Sequence, residues 1–382
     1  MALETMALST SSTMFSSGVV EDDDKKKQEA FVFPKFVLMG HRGFGMNMLQ
    51  SPDEKMKFIK ENSLLSFNVA ADFPIDFIEF DVQVTRDGCP VIFHDIFMFT
   101  QEEGVIIENR VTEMALHEFL SYGPQKDGTN VKPMFRKTKD GRIFEWKVEK
   151  DDPLCTLEDA LVKVKQSVGF NIELKFDDNI VYGEKELCLT LDNILKVVND
   201  HAKNRPIIFS SFHPDVARLI RNMQMIYPKF YYVQVFFLTN GGSEIYKDVR
   251  RNSLDEAIKL CKDSGLQGIV SEVKAILRTP NAITRIKDSN LSLLSYGQLN
   301  NVVEVVYLQH HMGVEGVIVD IIEDISKAIT NIKVRNEEDW EDNGSKSLIM
   351  FGEEKKKVKV SMDEINFLTK FVPNNMVHNC WT

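Results

Sequence analysis

Three short stretches of this 382-residue chain place acids, histidines and basic residues in runs that otherwise read as strands. In FIEFDVQV (77–84), Ile78, Phe80, Val82 and Val84 alternate with Glu79, Asp81 and Gln83. A period of two puts the polar residues on one face and the apolar residues on the other. Asp87-Gly88 then signals a turn, and a second short strand ends on His94-Asp95. In GFNIELKF (169–176), Asn171, Glu173 and Lys175 share one face, with Ile172, Leu174 and Phe176 on the other. FVLMG (36–40) leads directly into His41-Arg42-Gly43. A lone pair of acids in a strand ordinarily marks a face turned to water. Three consecutive strands carrying His-Arg, Glu/Asp/His and Glu/Lys invite a chemical reading.

Glu79, Asp81 and Glu173 offer three hard oxygen ligands, which suit Mg²⁺ or Ca²⁺. His41 and His94 can flank the same centre as general acid and base. Arg42 adds a planar fork of donors and Lys175 a point charge, a combination that suits a phosphate. Metal, acid–base pair and cationic clamp together describe cleavage of a phosphoryl ester by electrostatic stabilisation.

Such groups must be held by a frame. Short β-rich runs occur at 36–40, 77–84, 169–174, 206–210, 230–238, 266–271, 291–296 and 314–319. Helical patterns stand between most of them. ENSLLSFNVAADF (61–73) is one; TLEDALVKVKQS (156–167) opens on a Thr cap with Asp159 three residues on. HPDVARLIRNMQ (213–224) has Pro in its first turn, and NSLDEAIKLCKDSG (252–265) stops at Gly265. Alternating β and α implies a parallel sheet, and eight such units over roughly 300 residues match a TIM (β/α)₈ barrel. A doubly wound open sheet is the structural alternative. Functional groups in a barrel lie at the C-terminal strand ends, and inward carboxylates there are costly unless paired or metal-bound. Residues 90–94 form an extra hairpin arm on the second strand. Residues 96–153 exceed an ordinary loop and read as an insertion beside the active mouth. Residues 333–382 read as a charged C-terminal extension, with a hairpin (SLIMFGEEKKKVKV) and a helix (SMDEINFLTKFV).

Composition sets the outer bounds. A 43% hydrophobic content supports a sizeable core, and a net charge of −11 argues against broad attraction to nucleic acid or an anionic membrane surface. The five scattered cysteines form no C-x-x-C pair, which suits a reducing compartment. No apolar run approaches the length of a membrane span, so no stable membrane insertion is expected. Residues 1–30 are rich in Ser and Thr without a packing period and are expected to be a disordered tail. The lack of Arg there, with Glu4 and the acidic run 21–24, argues against a plastid transit peptide. The cytosol is the expected compartment and the plastid the alternative.

GHRG (40–43), ENSLLSF (61–67), IEFDVQVTRDGCPVIFHD (78–95), TLEDAL (156–161) and NIELK (171–175) resemble, in order and spacing, the signature series of the glycerophosphodiester phosphodiesterase family. The resemblance spans about residues 36–330, and details such as SFHPD (211–215) and YGQLNNV (296–302) look like its eukaryotic, plant-type branch. It implies a TIM barrel that hydrolyses deacylated phospholipids, such as glycerophosphocholine and glycerophosphoethanolamine, to an alcohol and sn-glycerol 3-phosphate. It implies His41 and His94 as the catalytic pair and Glu79, Asp81 and Glu173 as metal ligands, with Mg²⁺ the expected ion and Ca²⁺ the alternative. Arg42 matches the phosphate-contacting arginine and Lys175 the lysine beside the third ligand. Glu61 matches a position near the active mouth, or else starts the first helix as an acid favoured by the dipole. Many relatives carry a Trp over the glycerol where this chain has Tyr296.

Other candidates are weaker. His213 reads as a cap or turn residue, and His310-His311 as surface residues of a helix. Cys89 has no adjacent base. Glu272 either lines the mouth or caps a helix, and Gly241-Gly242 reads as a tight turn. Two other functions use the same core: a lysophospholipase D-type activity on lysolipids, and a non-catalytic phosphodiester-binding descendant. The acidic charge favours a soluble substrate, and the retained histidines and acids favour catalysis.

Overall fold

The computed structural model describes residues 33, 36–125, 132–224 and 233–329. The expected N-terminal tail (1–30) and C-terminal extension (333–382) lie outside the described residues.

The strands in chain order are β1 (Val37–Gly40), β2 (Phe77–Val84), β3 (Pro90–Ile92), β4 (Phe97–Glu102), β5 (Val105–Arg110), β6 (Met134–Lys137), β7 (Ile143–Glu145), β8 (Gly169–Leu174), β9 (Ile207–Ser211), β10 (Val233–Thr239), β11 (Gly268–Glu272), β12 (Ser292–Tyr296) and β13 (Gly316–Val319). Eight of them, β1, β2 and β8 to β13, pair in parallel in that order. β1 bonds both β13 and β2, so the sheet closes. The barrel expectation therefore holds and the open sheet does not. β3 folds back antiparallel on β2, as the Asp87-Gly88 turn requires.

The helices include α1 (Leu64–Ala70), α2 (Leu116–Phe119), α3 (Leu157–Lys163), α4 (Glu184–His201), α5 (Pro214–Gln224), α6 (Leu254–Ser264), α7 (Val273–Arg278), α8 (Ala282–Asp288) and α9 (Val303–Met312), and residues 322–329 after β13 are helical as well. Their ends follow local chemistry. Ser63 caps α1 by accepting from the Ser66 amide. Thr156 and Asp159 complete a reciprocal capping box on α3. α6 stops at Gly265, whose left-handed φ of 64° a side chain would resist.

Two apolar layers explain which strand faces hold the site. Ile78, Phe80 and Val82 of β2, and Phe170, Ile172 and Leu174 of β8, join the main core with the surrounding helices. Inside the barrel, Val37, Met39, Ile208, Phe236, Leu238, Val270, Leu294 and Ile318 form a second cluster. On β2 and β8 the inward positions are instead Glu79, Asp81, Asn171 and Glu173, all buried or nearly so. The alternation seen in the sequence is thus an inside–outside alternation, with the acids inside.

The insertion has its own architecture. β5, β4, β6 and β7 form a four-stranded antiparallel sheet. Val91, Phe93, Met98, Val111, Met114, Phe119, Tyr122, Met134 and Trp146 make a separate core that reaches the β3 arm. That seam fixes the insertion against the segment carrying His94.

Candidate active site

The turn after β1 delivers the first two groups. Arg42 holds a left-handed φ of 49°, and Gly43 follows at 91°. A Cβ on Gly43 would lie 2.3 Å from Ser66 Oγ. That close approach lets Ser66 Oγ donate to the Arg42 carbonyl and accept from the Phe44 amide. The constrained turn points His41 and Arg42 into a cavity of about 920 Å³.

Register brings the acids together. Asp81 on β2 lies directly opposite Glu173 on β8, and Glu79 opposite Asn171. One carboxylate oxygen from each of Glu79, Asp81 and Glu173 lies within 4.8 Å of the others. The Arg42 amide donates to Glu79 (2.9 Å), Asn62 Nδ2 to Asp81 (2.9 Å) and Lys175 Nζ to Glu173 (2.8 Å). Burial and the neighbouring Asp81 push Glu79 up to about 8. Burial also opposes ionisation of Asp81, but His94, Lys175 and Arg42 outweigh it and hold Asp81 well below the usual carboxylate range. The two acids therefore keep one proton between them through neutral pH. A divalent cation would remove that crowding, and the three-oxygen set is the donor chemistry such an ion prefers.

Each histidine has its Nδ1 fixed by a carboxylate. His41 Nδ1 donates to Asp320 at 2.7 Å, and its Nε2 lies 3.9 Å from Glu79. His94 Nδ1 donates to Asp95 at 2.7 Å. The free nitrogen on both rings is therefore Nε2, and both rings line the cavity. Their surroundings pull them apart. Burial works against protonating His41, but Asp320 overcomes it and the value rises. Burial, Arg42 and Lys175 together lower that of His94.

Arg42 Nε is buried, 3.6 Å from Asp81, and has no hydrogen-bond partner among the described residues. Lys175 also lines the cavity. Tyr296, at the end of β12, lines it too; its hydroxyl donates to Asn240 Oδ1 and its ring meets Phe212 edge-on.

Glu61 needs a correction. It is not among the described residues lining the cavity, and it precedes the helix cap Ser63 by two positions rather than starting α1. It is 2% exposed and accepts from Arg42 Nη1 (2.9 Å) and Arg136 Nη2 (2.7 Å). Arg136, then Arg42, overcome the burial penalty and hold it at about 2. Glu61 therefore supports the site from behind Arg42. The weaker candidates also resolve. His213 Nδ1 accepts from the Val216 amide at the start of α5, as a cap would, though the ring also borders the cavity. Glu272 both lines the cavity and caps α7. His310 packs on Phe36 at the surface of α9.

Three contributors lay outside the sequence reading. Asp320 follows β13, at the C-terminal strand ends where barrel function gathers, and that position was the available signal. Asn62 stood beside Glu61 in the motif. Arg136, in the insertion, had no such signal.

The glycerophosphoryl diester phosphodiesterase family model matches residues 41–324. Glycerophosphodiester phosphodiesterase GDPD3 of Arabidopsis thaliana is 82% identical over 375 residues, covering 98% of this chain and 99% of that protein. The chloroplastic glycerophosphodiester phosphodiesterase GDPD1 of the same plant is 54% identical, covering 90% and 91%. The structure of an Oleispira antarctica phosphodiesterase in complex with its product sn-glycerol-3-phosphate superposes with a TM-score of 0.53 at 19% identity. That alignment covers 77% of this chain and 96% of the other, and it supports the barrel fold.

Proposed function

The chain belongs to the glycerophosphoryl diester phosphodiesterase family, and on that premise we propose that it hydrolyses glycerophosphodiesters to an alcohol and sn-glycerol 3-phosphate. Glycerophosphocholine and glycerophosphoethanolamine are the proposed substrates. The observation that carries the reading is the meeting of two carboxylate-anchored histidines at a three-acid cluster.

Glu79, Asp81 and Glu173 would hold the cation, Mg²⁺ first and Ca²⁺ as the alternative the same oxygens accept. When bound, the ion supplies positive charge against that developing on the phosphoryl oxygens. Arg42 and Lys175, which both line the cavity, bind the phosphate. Tyr296 lies against the glycerol. His94, whose affinity for a proton is lowered by burial and its cationic neighbours, accepts at Nε2 the proton of the attacking oxygen, either of water directly or of the glycerol 2-hydroxyl, after which water opens the cyclic phosphate. His41, whose affinity for a proton Asp320 raises, returns a proton from Nε2 to the departing alcohol.

The test is release of glycerol 3-phosphate from glycerophosphocholine, with EDTA and then with Mg²⁺ or Ca²⁺ restored. Release that stops in EDTA and returns with the ion is expected. Full activity in excess EDTA removes the metal from the scheme; no release from any glycerophosphodiester removes the activity.

A further inference from the structure

Arg136 sits on β6 of the insertion, where Met134 and Arg136 turn inward and are buried. It is 6% exposed and is not among the described residues lining the cavity. Its Nε donates to Asp95 Oδ2 at 2.8 Å. Its Nη2 donates to Glu61 Oε1 at 2.7 Å, and Nη1 to Glu61 Oε2 at 3.2 Å and the Asn47 carbonyl at 3.0 Å. The guanidinium lies over the Trp146 ring at 3.8 Å, and Trp146 Nε1 donates back to Asn47 Oδ1.

Both acids under this fork do a second task. The other oxygen of Asp95 accepts from His94 Nδ1. Glu61 Oε1 also accepts from Arg42 Nη1. One guanidinium thus braces the carboxylate that orients the proton acceptor and the carboxylate that orients the phosphate-binding arginine. Glu61 and Arg136 are buried, so Glu61 cannot turn without leaving a charge unsatisfied, and the same fork holds Asp95, whose side chain is 23% exposed at the cavity wall. The planar fork is what spans both acids; a lysine offers one point of charge and cannot reach them together.

We infer that Arg136 is a positioning residue for the reaction: it clamps Asp95 and Glu61, and through them sets the tautomer of His94 and the aim of Arg42. The antiparallel insertion is then a working part of the site. This rests on the proposed function, in which His94 Nε2 must be free to take a proton. It goes further by adding a residue that touches neither substrate nor ion.

The experiment compares wild type with Arg136→Lys, Asp95→Asn and the double variant. Turnover and KM are measured on glycerophosphocholine. The His94 tautomer is read by ¹⁵N NMR of histidine-labelled protein, with His94→Gln to assign the signal. Arg136→Lys should lower kcat roughly ten- to a hundred-fold, the usual cost of losing an outer partner. The change in KM should be smaller. His94, held as the Nδ1–H form in the wild type, should become a mixture of tautomers. The double variant should lose less than the product of the two single losses, because both act on the His94 ring, and more than Asp95→Asn alone only by what the Glu61–Arg42 arm adds. Wild-type kcat in Arg136→Lys, or a loss that multiplies with Asp95→Asn while the tautomer stays fixed, overturns the inference. Trp146→Leu removes the stacking platform and none of the charge, and should loosen the same tautomer. If Arg136→Lys does not fold, an unchanged tautomer in Trp146→Leu overturns the inference in its place. The NMR readout needs no turnover, so a wild type inactive on every glycerophosphodiester would sink the proposed activity and leave the clamp decided separately.

Discussion

Metal binding should release a proton, and the structure gives its size. Glu79 and Asp81 keep one proton between them up to about pH 8, because burial and mutual repulsion outweigh the nearby cations for Glu79. A divalent ion must displace that proton. For each pH unit below about 8, affinity should fall tenfold, which is about 1.4 kcal/mol. At pH 6, two units down, binding should be roughly a hundred times weaker than at its plateau. Isothermal titration with Mg²⁺ in two buffers of different ionisation enthalpy counts the protons: close to one per ion at pH 6–7 and approaching none at pH 9. The melting temperature should agree. A carboxyl raised in the fold contributes stability that is full below its unfolded value near 4.5 and lost as pH rises through about 8. The metal-free protein should therefore weaken over that window, and the rise in Tm on adding Mg²⁺ should grow across it. Glu79→Gln should bind the ion more weakly and lose the pH slope. No proton release at pH 6–7, or a slope that persists in Glu79→Gln, would refute the reasoning.

His41→Ala and His94→Ala should each lower turnover about 10²–10⁴-fold, the usual contribution of a positioned acid or base, while divalent-ion binding measured by calorimetry survives. Turnover should follow a bell in pH whose limbs belong to the pair, since His94 must be neutral and His41 protonated; a profile flat through that range would remove the division of labour. Glu61→Gln should destabilise the fold by about 3–5 kcal/mol in urea melts, because it leaves Arg42 and Arg136 without their shared anion. The wild-type contribution of Glu61 is present above its unfolded value near 4.5 and is lost as pH falls toward about 2, so the two proteins should converge in acid. Deleting residues 1–30 should leave turnover and Tm unchanged, because every group placed at the site lies between His41 and Asp320; a fall of several degrees would show the segment is docked.

The barrel was legible because period and punctuation agree. Each β-rich run met a strand, and Thr156, Ser253 and Gly265 ended helices where their side chains or backbone demand. The acids on β2 and β8 were legible for a related reason: period two fixes which residues share a face, and closure turns that face inward. Glu61 was misplaced because proximity to a motif says nothing about direction. Its carboxylate is taken up by Arg42, at the cavity wall, and by Arg136, 75 residues on. Asp320 and Arg136 escaped because their partners are 279 and 41 residues distant, with no local pattern to join them. The internal sheet of the insertion was equally hidden, since among the described residues its strands pair with one another and with no barrel strand.

The charges around the site explain why these hidden partners are needed. Glu61, Glu79, Asp81, Asp95 and Glu173 gather around three permanent cations, Arg42, Arg136 and Lys175, and Asp320 pairs with His41. Protonating His41 offsets one more negative charge and leaves an excess of two. A buried region cannot sustain that excess, so it either keeps a proton, as Glu79 does here, or takes a cation. One divalent ion matches the deficit, and the substrate's phosphate then arrives at a centre close to neutral instead of strongly negative. Arg136 is one of the three fixed charges in that balance, and it comes from the insertion. Without it the excess among these groups would be three, more than a single divalent ion could cancel. Among these groups the insertion supplies one of the three fixed positive charges, so barrel and insertion share in the balance whatever the head group of the substrate.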